Sequence, residues 1–239
     1  MNNRITWSVI VPCYNEEKRI LKTIPELKIF LDNNPGSEVI FVDDGSTDAT
    51  GFILSGIAER DNRIKTISLQ KNRGKWGAVA VGFFNAQKDF SILVDADFSI
   101  DINSDSIKYI LRNINCDSVI IGNRYSGNNV IPFKRHISGM VFNLLARKIV
   151  GIKYRDSQCP AKIWPNNKIM YGIFLNLIER GFAGDVEFLR RCDMFSVKVS
   201  SVIVDYKFVD GSSVNVVRHA PKMFGSLFHI RSNTRAKAL

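Results

Sequence analysis

Two aspartates separated by one residue, Asp95-Ala96-Asp97, directly follow the apolar run Ile92–Val94. At the end of a strand, two such carboxylates leave the sheet where the backbone turns and can share one hard divalent cation. Oxygen-only donors suit Mg²⁺ or Mn²⁺, and a cation held by so few protein ligands completes its shell with phosphate oxygens and water. It would then neutralise charge developing on a diphosphate leaving group. A second acidic pair, Asp43-Asp44, precedes Gly45-Ser46 after the run Val39–Val42. Alone, Asp-Asp-Gly makes a turn, but a turn needs only one of the two. The other could accept hydrogen bonds from a base N–H or from ribose hydroxyls. Tyr14, after Val9–Val11, offers a stacking face for a planar base. Neither G-x-G-x-x-G nor G-x-x-x-x-G-K-[ST] occurs, so dinucleotide oxidoreductases and P-loop NTPases lose support. Phosphates must be met by a metal and by basic side chains.

These groups share one feature: each stands at the carboxyl end of a short β-branched run. Trp7–Val11, Val39–Val42, Ile64–Leu69, Ile92–Val94 and Ser118–Ile121 alternate with helix-length segments 16–33, 47–60, 75–88 and 104–114. The alternation predicts βαβ units and a doubly wound, mostly parallel, Rossmann-like sheet flanked by helices. In such sheets ligands bind outside the carboxyl ends of the strands, where Pro12 to Glu16, Asp43 to Ser46, Asp95 to Asp97 and Gly122-Asn123-Arg124-Tyr125 would converge. Ser46-Thr47-Asp48 sits where a helix N-cap belongs, and Asn33-Asn34-Pro35-Gly36 reads as a helix stop. Beyond residue 124 the pattern gives helices near 138–150, 166–180 and 185–193, a strand at Val197–Val204 and a basic tail bearing aromatic residues. No repeat or Gly/Ser linker interrupts the chain, so residues 1–239 read as a single domain.

The 239 residues carry 33 Lys+Arg against 23 Asp+Glu, a net charge of +10, with 45% hydrophobic residues. Disordered and fibrous classes are excluded. Residues 1–123 hold 14 basic and 16 acidic side chains (−2), and residues 124–239 hold 19 and 7 (+12). An anionic partner for the second half follows: nucleic acid, a membrane surface or a phosphorylated substrate. Met170–Ile178 is too short to span a bilayer, and the N-terminus has no apolar leader, so the expectation is a cytoplasmic protein. Cys13, Cys116, Cys159 and Cys192 lack the spacing of a zinc site or redox dithiol and are expected to be reduced, mostly buried thiols.

Taken together, Val9-Ile10-Val11-Pro12-x-Tyr14-Asn15-Glu16, Val42-Asp43-Asp44-Gly45-Ser46-x-Asp48-x-Thr50, Asn72-x-Gly74-Lys75 and Asp95-Ala96-Asp97 resemble the family 2 glycosyltransferases, which have a GT-A fold. Gly122 to Tyr125, Asp156-Ser157-Gln158-Cys159, Asp185-Val186-Glu187 and Gly211-Ser212-Ser213 are similar to the polyprenyl-phosphate branch, the dolichyl-phosphate mannose and glucose synthases, with the Asp-Ser-Gln-Cys run closest to glucosyltransferases. The resemblance makes residues 1–123 the nucleotide-sugar half and 124–239 the acceptor half. It implies that Pro12, Tyr14, Glu16, Asp43, Asp44, Lys75, Asp95 and Ala96 meet the nucleotide sugar, with Asp44 holding the nucleotide. Asp95 and Asp97 would hold diphosphate and metal, with Asp97 the direct ligand. Arg124, Arg135 and Ser138 match acceptor-phosphate positions, which places Asp97, Arg124 and Arg135 at the chemistry. Pro160-Ala161 departs from the Gly-Phe usual after the cysteine.

A monoalkyl phosphate acceptor is already anionic at neutral pH, its second pKa being about 6. Such an enzyme needs cations rather than a base: the metal on the donor, with Arg124, Arg135 and Lys75 around the acceptor. The expected reaction is therefore inverting transfer of a hexose, from a UDP-glucose-like donor, to a polyprenyl phosphate at the cytoplasmic membrane face. The alternative is a sugar-hydroxyl acceptor in polysaccharide synthesis, with Asp185 or Glu187 as base. A nucleic-acid-binding protein is more remote, since the strand-end carboxylates would repel phosphate and no nucleic-acid motif is present. The basic, aromatic-bearing tail, with Lys207, Arg218, Lys222, Arg231, Arg235 and Lys237 among Phe208, Met223, Phe224, Leu227, Phe228 and Ile230, could dock peripherally on an anionic leaflet.

Overall fold

The computed structural model describes residues 5–114, 117–125, 129, 131–209 and 216–235. Cys116, Gly211-Ser212-Ser213 and Lys237 lie outside the described residues, as do the side chains of Arg218 and Arg235. The first half alternates as the sequence predicts: β1 (Trp7–Cys13), α1 (Ile20–Asn33), β2 (Glu38–Asp43), α2 (Thr50–Ala58), β3 (Ile64–Ser68), α3 (Lys75–Asn85), β4 (Phe90–Leu93), α4 (Asp105–Asn113) and β5 (Ser118–Asn123). There follow α5 (Phe133–Val150), β6 (Lys162–Pro165), α6 (Lys168–Asn176), α7 (Gly184–Met194), β7 (Lys198–Ile203) and α8 (Val216–Arg235).

All seven strands form one sheet, in the order β3-β2-β1-β4-β6-β5-β7. Six run parallel, and β6 runs against both of its neighbours, β4 and β5. Strands from both halves of the chain therefore share one sheet. Because strand residues alternate between faces, Val9, Val11 and Phe41 pack with Leu27, Phe30, Ile107 and Ile110 on one side. Ile10, Leu93, Val119 and Trp164 pack with Trp76, Phe83, Phe174 and Phe188 on the other. Burial on both faces accounts for the continuous apolar runs of the central strands.

Three features differ from the sequence reading. Strand β6 was not expected: it is four residues long and contains a lysine and a proline. The C-terminal tail is largely the helix α8, whose Leu227 and Ile230 are buried in the second core while Phe224 and Phe228 remain exposed. Helix α5 starts at Phe133 rather than at 138. Of the cysteines, Cys13, Cys159 and Cys192 are buried and free, as expected.

Candidate active site

The carboxyl edge of the sheet is assembled by loops that clasp one another. Asn15 adopts a left-handed conformation (φ 55°), which asparagine tolerates better than most residues. Its N–H donates to Ser46 Oγ (2.9 Å) and its Oδ1 accepts from Thr47 N–H (2.8 Å). Glu16 N–H donates to Thr50 Oγ1 (2.8 Å), and Asp48 Oδ1 accepts from Thr50 N–H (2.9 Å) at the start of α2, close to the expected cap. The Asn-Glu and Ser-x-Asp-x-Thr motifs thus bind each other. Gly45 needs to be glycine twice over: its φ is +71°, and a Cβ would lie 2.8 Å from the Lys71 carbonyl carbon.

The acidic pair at the end of β2 divides its work, and both members are buried. Asp43 Oδ1 accepts from Ser46 N–H (2.9 Å) and shapes the turn. Asp44 accepts from Arg73 N–H (2.7 Å) and from Gly74 N–H (2.8 Å), one bond on each oxygen. Burial raises the Asp44 pKa against the pull of these two N–H groups. The sequence reading left one carboxylate of the pair open for a base; the backbone engages both, and Asp44 also orders the loop leading into α3. Tyr14 is 40% exposed on the same edge.

The Asp95-Ala96-Asp97 segment follows β4, and Lys75, the first residue of α3, reaches it: Lys75 Nζ lies 2.7 Å from Asp95 Oδ1. Burial alone would lower the Lys75 pKa, but Asp95, Asp185 and Asp97 together raise it. Asp97 is held by Ser99 N–H (3.1 Å), and burial followed by the charge of Asp95 raises its pKa. Glu16 stands in the same field. Its pKa is raised by burial and by Asp97 and Asp95, against a two-pronged ion pair with Arg19 (2.6 and 2.7 Å). Three carboxylates that repel one another, relieved by Lys75 at Asp95 and by Arg19 at Glu16, form a site that would gain from an added cation. Among the described residues no cluster of three or more His, Cys, Asp or Glu converges on one point. A cation at Asp95 and Asp97 would therefore draw its other ligands from phosphate and water, which fits Mg²⁺ or Mn²⁺ chemistry.

Of the residues expected to meet an acceptor, Arg124 has its guanidinium already engaged. Nε and one terminal nitrogen bond the two oxygens of buried Asp156 at 2.9 and 2.8 Å. Burial would lower its pKa, but Asp156 raises it, and Tyr206 and Tyr125 flank the cation at 5.4 and 5.8 Å. Arg135, on the first turn of α5, makes no ion pair among the described residues; its guanidinium sits 4.9 Å from the Phe208 ring centroid. Ser138 follows on the same helix and its hydroxyl donates to the Arg135 carbonyl (3.1 Å). Asn143, further along α5, accepts from both Ser157 N–H and Oγ (2.9 and 2.7 Å), so α5 positions the Asp-Ser-Gln-Cys run.

The two candidate bases separate. Glu187 is 1% exposed and fully spent: it accepts from Ile178 N–H (3.0 Å), Glu179 N–H (2.6 Å) and both Nε and a terminal nitrogen of Arg191 (2.8 and 2.6 Å). These bonds tie α7 to the segment after α6. Asp185 lies 2.5 Å from Lys162 Nζ, a fully buried amine that also donates to the Cys159 carbonyl (2.6 Å). Lys162 arrives from the antiparallel strand, and its type and neighbours in the sequence gave no signal for it. Arg180 was missed as well: its carbonyl accepts from Trp76 N–H (2.9 Å) and caps α3 beside Lys75.

The glycosyl transferase family 2 model matches residues 8–178 of this chain. A dolichyl-phosphate beta-glucosyltransferase of Trichomonas vaginalis is 30% identical over 226 residues, covering 87% of this chain and 68% of that protein. The dolichyl-phosphate beta-glucosyltransferase of Saccharomyces cerevisiae is 30% identical over 256 residues, covering 96% and 75%. Among solved structures, glucosyl-3-phosphoglycerate synthase from Mycobacterium tuberculosis in complex with Mn²⁺, UDP and glucosyl-3-phosphoglycerate superposes with a TM-score of 0.68 at 16% identity, over 96% of this chain and 80% of that one. That likeness establishes the shared fold.

Proposed function

Since the chain belongs to glycosyl transferase family 2, we propose that this glycosyltransferase moves glucose, with inversion, from UDP-glucose to a polyprenyl phosphate of the dolichyl type on the cytoplasmic face of a membrane. The names of the relatives support the sugar and the acceptor, and the UDP and Mn²⁺ of the structural neighbour support the donor and the cation. In this reading Tyr14 stacks on the base, and Pro12 and Ala96 line its seat. Asp44 acts chiefly by fixing the loop that carries Lys75. Asp95 and Asp97 hold Mg²⁺ or Mn²⁺, which when bound neutralises charge on the departing diphosphate.

The observation that carries the phosphate acceptor is the state of the carboxylates on that side. Glu187 is consumed by Arg191 and two backbone N–H groups, and Asp185 is paired with Lys162. An acceptor hydroxyl would have to lose a proton to a free base; a phosphate monoester needs none. Arg135, with Arg124 held rigid by Asp156, orients the acceptor phosphate. Its oxygen attacks the anomeric carbon as the bond to the β-phosphate oxygen breaks, and Lys75 stabilises the charge that accumulates there. The test is product analysis with UDP-glucose, GDP-mannose and UDP-GlcNAc as donors and polyprenyl phosphate as acceptor. An acid-labile glucosyl phosphodiester formed from UDP-glucose supports the reading; transfer to saccharide hydroxyls alone overturns it.

A further inference from the structure

Lys162 places a fully buried ammonium in the middle of the sheet. On β6 it pairs with Leu93 of β4 on one side and with Ile121 of β5 on the other. Leu93 stands two residues before Asp95, and Ile121 three residues before Arg124. The strand that runs into the Asp95-Ala96-Asp97 carboxylates and the strand that leads to Arg124 are therefore joined through the strand carrying Lys162. Strand alternation puts Lys162 on the same face as Trp164, the face that packs against α3 and α7.

From that position the amine ties two pieces of the site together. It meets Asp185 Oδ1, in the first turn of α7, at 2.5 Å and donates to the Cys159 carbonyl at 2.6 Å. Cys159 closes the Asp-Ser-Gln-Cys run, whose Asp156 grips Arg124. Gln158 repeats the tie, its Nε2 donating to the Phe182 carbonyl just before α7 (3.0 Å). Helix α7 is in turn locked to the start of α3. The Arg180 carbonyl accepts from Trp76 N–H at 2.9 Å, a Cβ on Gly184 would overlap the Trp76 side chain, and one on Gly74 would overlap the Arg180 carbonyl. These two helix starts have no room to slide past each other, so a displacement of α7 moves Lys75. Burial alone would lower the Lys75 pKa, and Asp95 and then Asp185 raise it; Asp185 thus stands within electrostatic reach of that amine.

Stability alone does not call for such a pair, because well-packed apolar side chains commonly replace a buried ion pair without loss. We propose that Lys162 is a positioning residue for the transfer. Its ammonium, seconded by Gln158, sets the separation between Lys75 and the Asp156–Arg124 pair, the groups assigned above to the diphosphate and to the acceptor. This rests on the phosphate acceptor proposed above. A diphosphate and an acceptor phosphate repel each other, and attack on the anomeric carbon is fast only while both are held at the reacting distance. The same ammonium offsets the charge of Asp185, which leaves Lys75 to Asp95.

The test measures UDP released per glucosyl phosphodiester formed, with UDP-glucose, Mn²⁺ and a short-chain, water-soluble prenyl phosphate. A misplaced acceptor lets water take its place at the anomeric carbon, giving glucose and UDP without phosphodiester. The ratio therefore reports positioning, and a loss of stability alone leaves it unmoved. Lys162→Met strands Asp185 and should lower the melting temperature; adding Asp185→Asn should restore it. The double variant should keep the wild-type dissociation constant for UDP, lose about tenfold or more in kcat and show a raised ratio. Gln158→Ala strands no charge, should raise the ratio by a smaller factor at the wild-type melting temperature, and decides the matter should the double variant not fold. The role is overturned if kcat returns with the melting temperature in the double variant, if kcat falls while the ratio stays at the wild-type value, or if Gln158→Ala leaves the ratio unchanged. A wild type that forms no phosphodiester overturns the proposed function and this role with it, whereas normal wild-type transfer with unaffected variants overturns this role alone.

Discussion

Asp44 accepts the backbone N–H of Gly74 at 2.8 Å, so the carboxylate at the end of β2 fixes the residue immediately before Lys75, the cation that meets Asp95. Two motifs 30 positions apart are thereby a single device. Asp44→Ala leaves the Arg73 N–H without its acceptor, at a cost of about 1–3 kcal/mol if it stays unsatisfied, and the Gly74 N–H with Asn72 Oδ1 at 3.1 Å in place of the carboxylate. A lower melting temperature is expected together with weaker UDP binding by calorimetry. An unchanged melting temperature would show that the loop is held by other contacts.

Asp97→Asn should abolish most turnover and raise the melting temperature at neutral pH. Burial and Asp95 raise the folded-state pKa of Asp97, so the folded protein binds more protons than the unfolded chain between the two pKa values, and stability contributed by this group is lost as pH rises through that window. Removing the charge relieves that cost. Binding of the cation to the metal-free protein needs the ionised form, so metal affinity should fall off with acid at a higher pH than for an ordinary carboxylate. Near-normal metal-dependent transfer by Asp97→Asn would remove this residue from the site.

Glu187→Gln tests the structural anchor against the base. Breaking its buried pair with Arg191 leaves an uncompensated guanidinium and should cost about 3–5 kcal/mol. The fraction still folded at low temperature should keep a normal kcat. Loss of kcat with the melting temperature intact would restore Glu187 as a catalytic base.

Arg124 and Arg135 should respond differently to truncation. Arg124→Ala strands buried Asp156 and should lower the melting temperature as well as activity. Arg135→Ala, which breaks no ion pair among the described residues, should raise KM for the prenyl phosphate at unchanged stability. Equal thermal effects in the two variants would contradict this division.

Much of this architecture was legible locally. Runs such as Val9–Val11 and Val39–Val42 are apolar on both faces because they are central in the sheet, and Asp43, Asp44, Asp95 and Asp97 stand at the turns where such strands end. A strand's ends and its burial are short-range properties, so a single sequence displays them. Even the Asn15–Ser46 and Glu16–Thr50 clasps were present as two motifs, although nothing in the chain said that they touch.

Tertiary structure alone decided which charged groups are available for chemistry. Lys162, Asp185, Glu187 and Arg124 are all strong candidates by residue type, and each is committed to a partner. Strand β6 shows why. A lysine in a four-residue run does not read as the middle of a sheet, because burying an unpaired amine costs several kcal/mol. Its place becomes stable only when α7 brings Asp185, 23 positions later, to within 2.5 Å of the amine. Compensation of a buried charge is a property of two distant positions at once, and neither position alone reveals it.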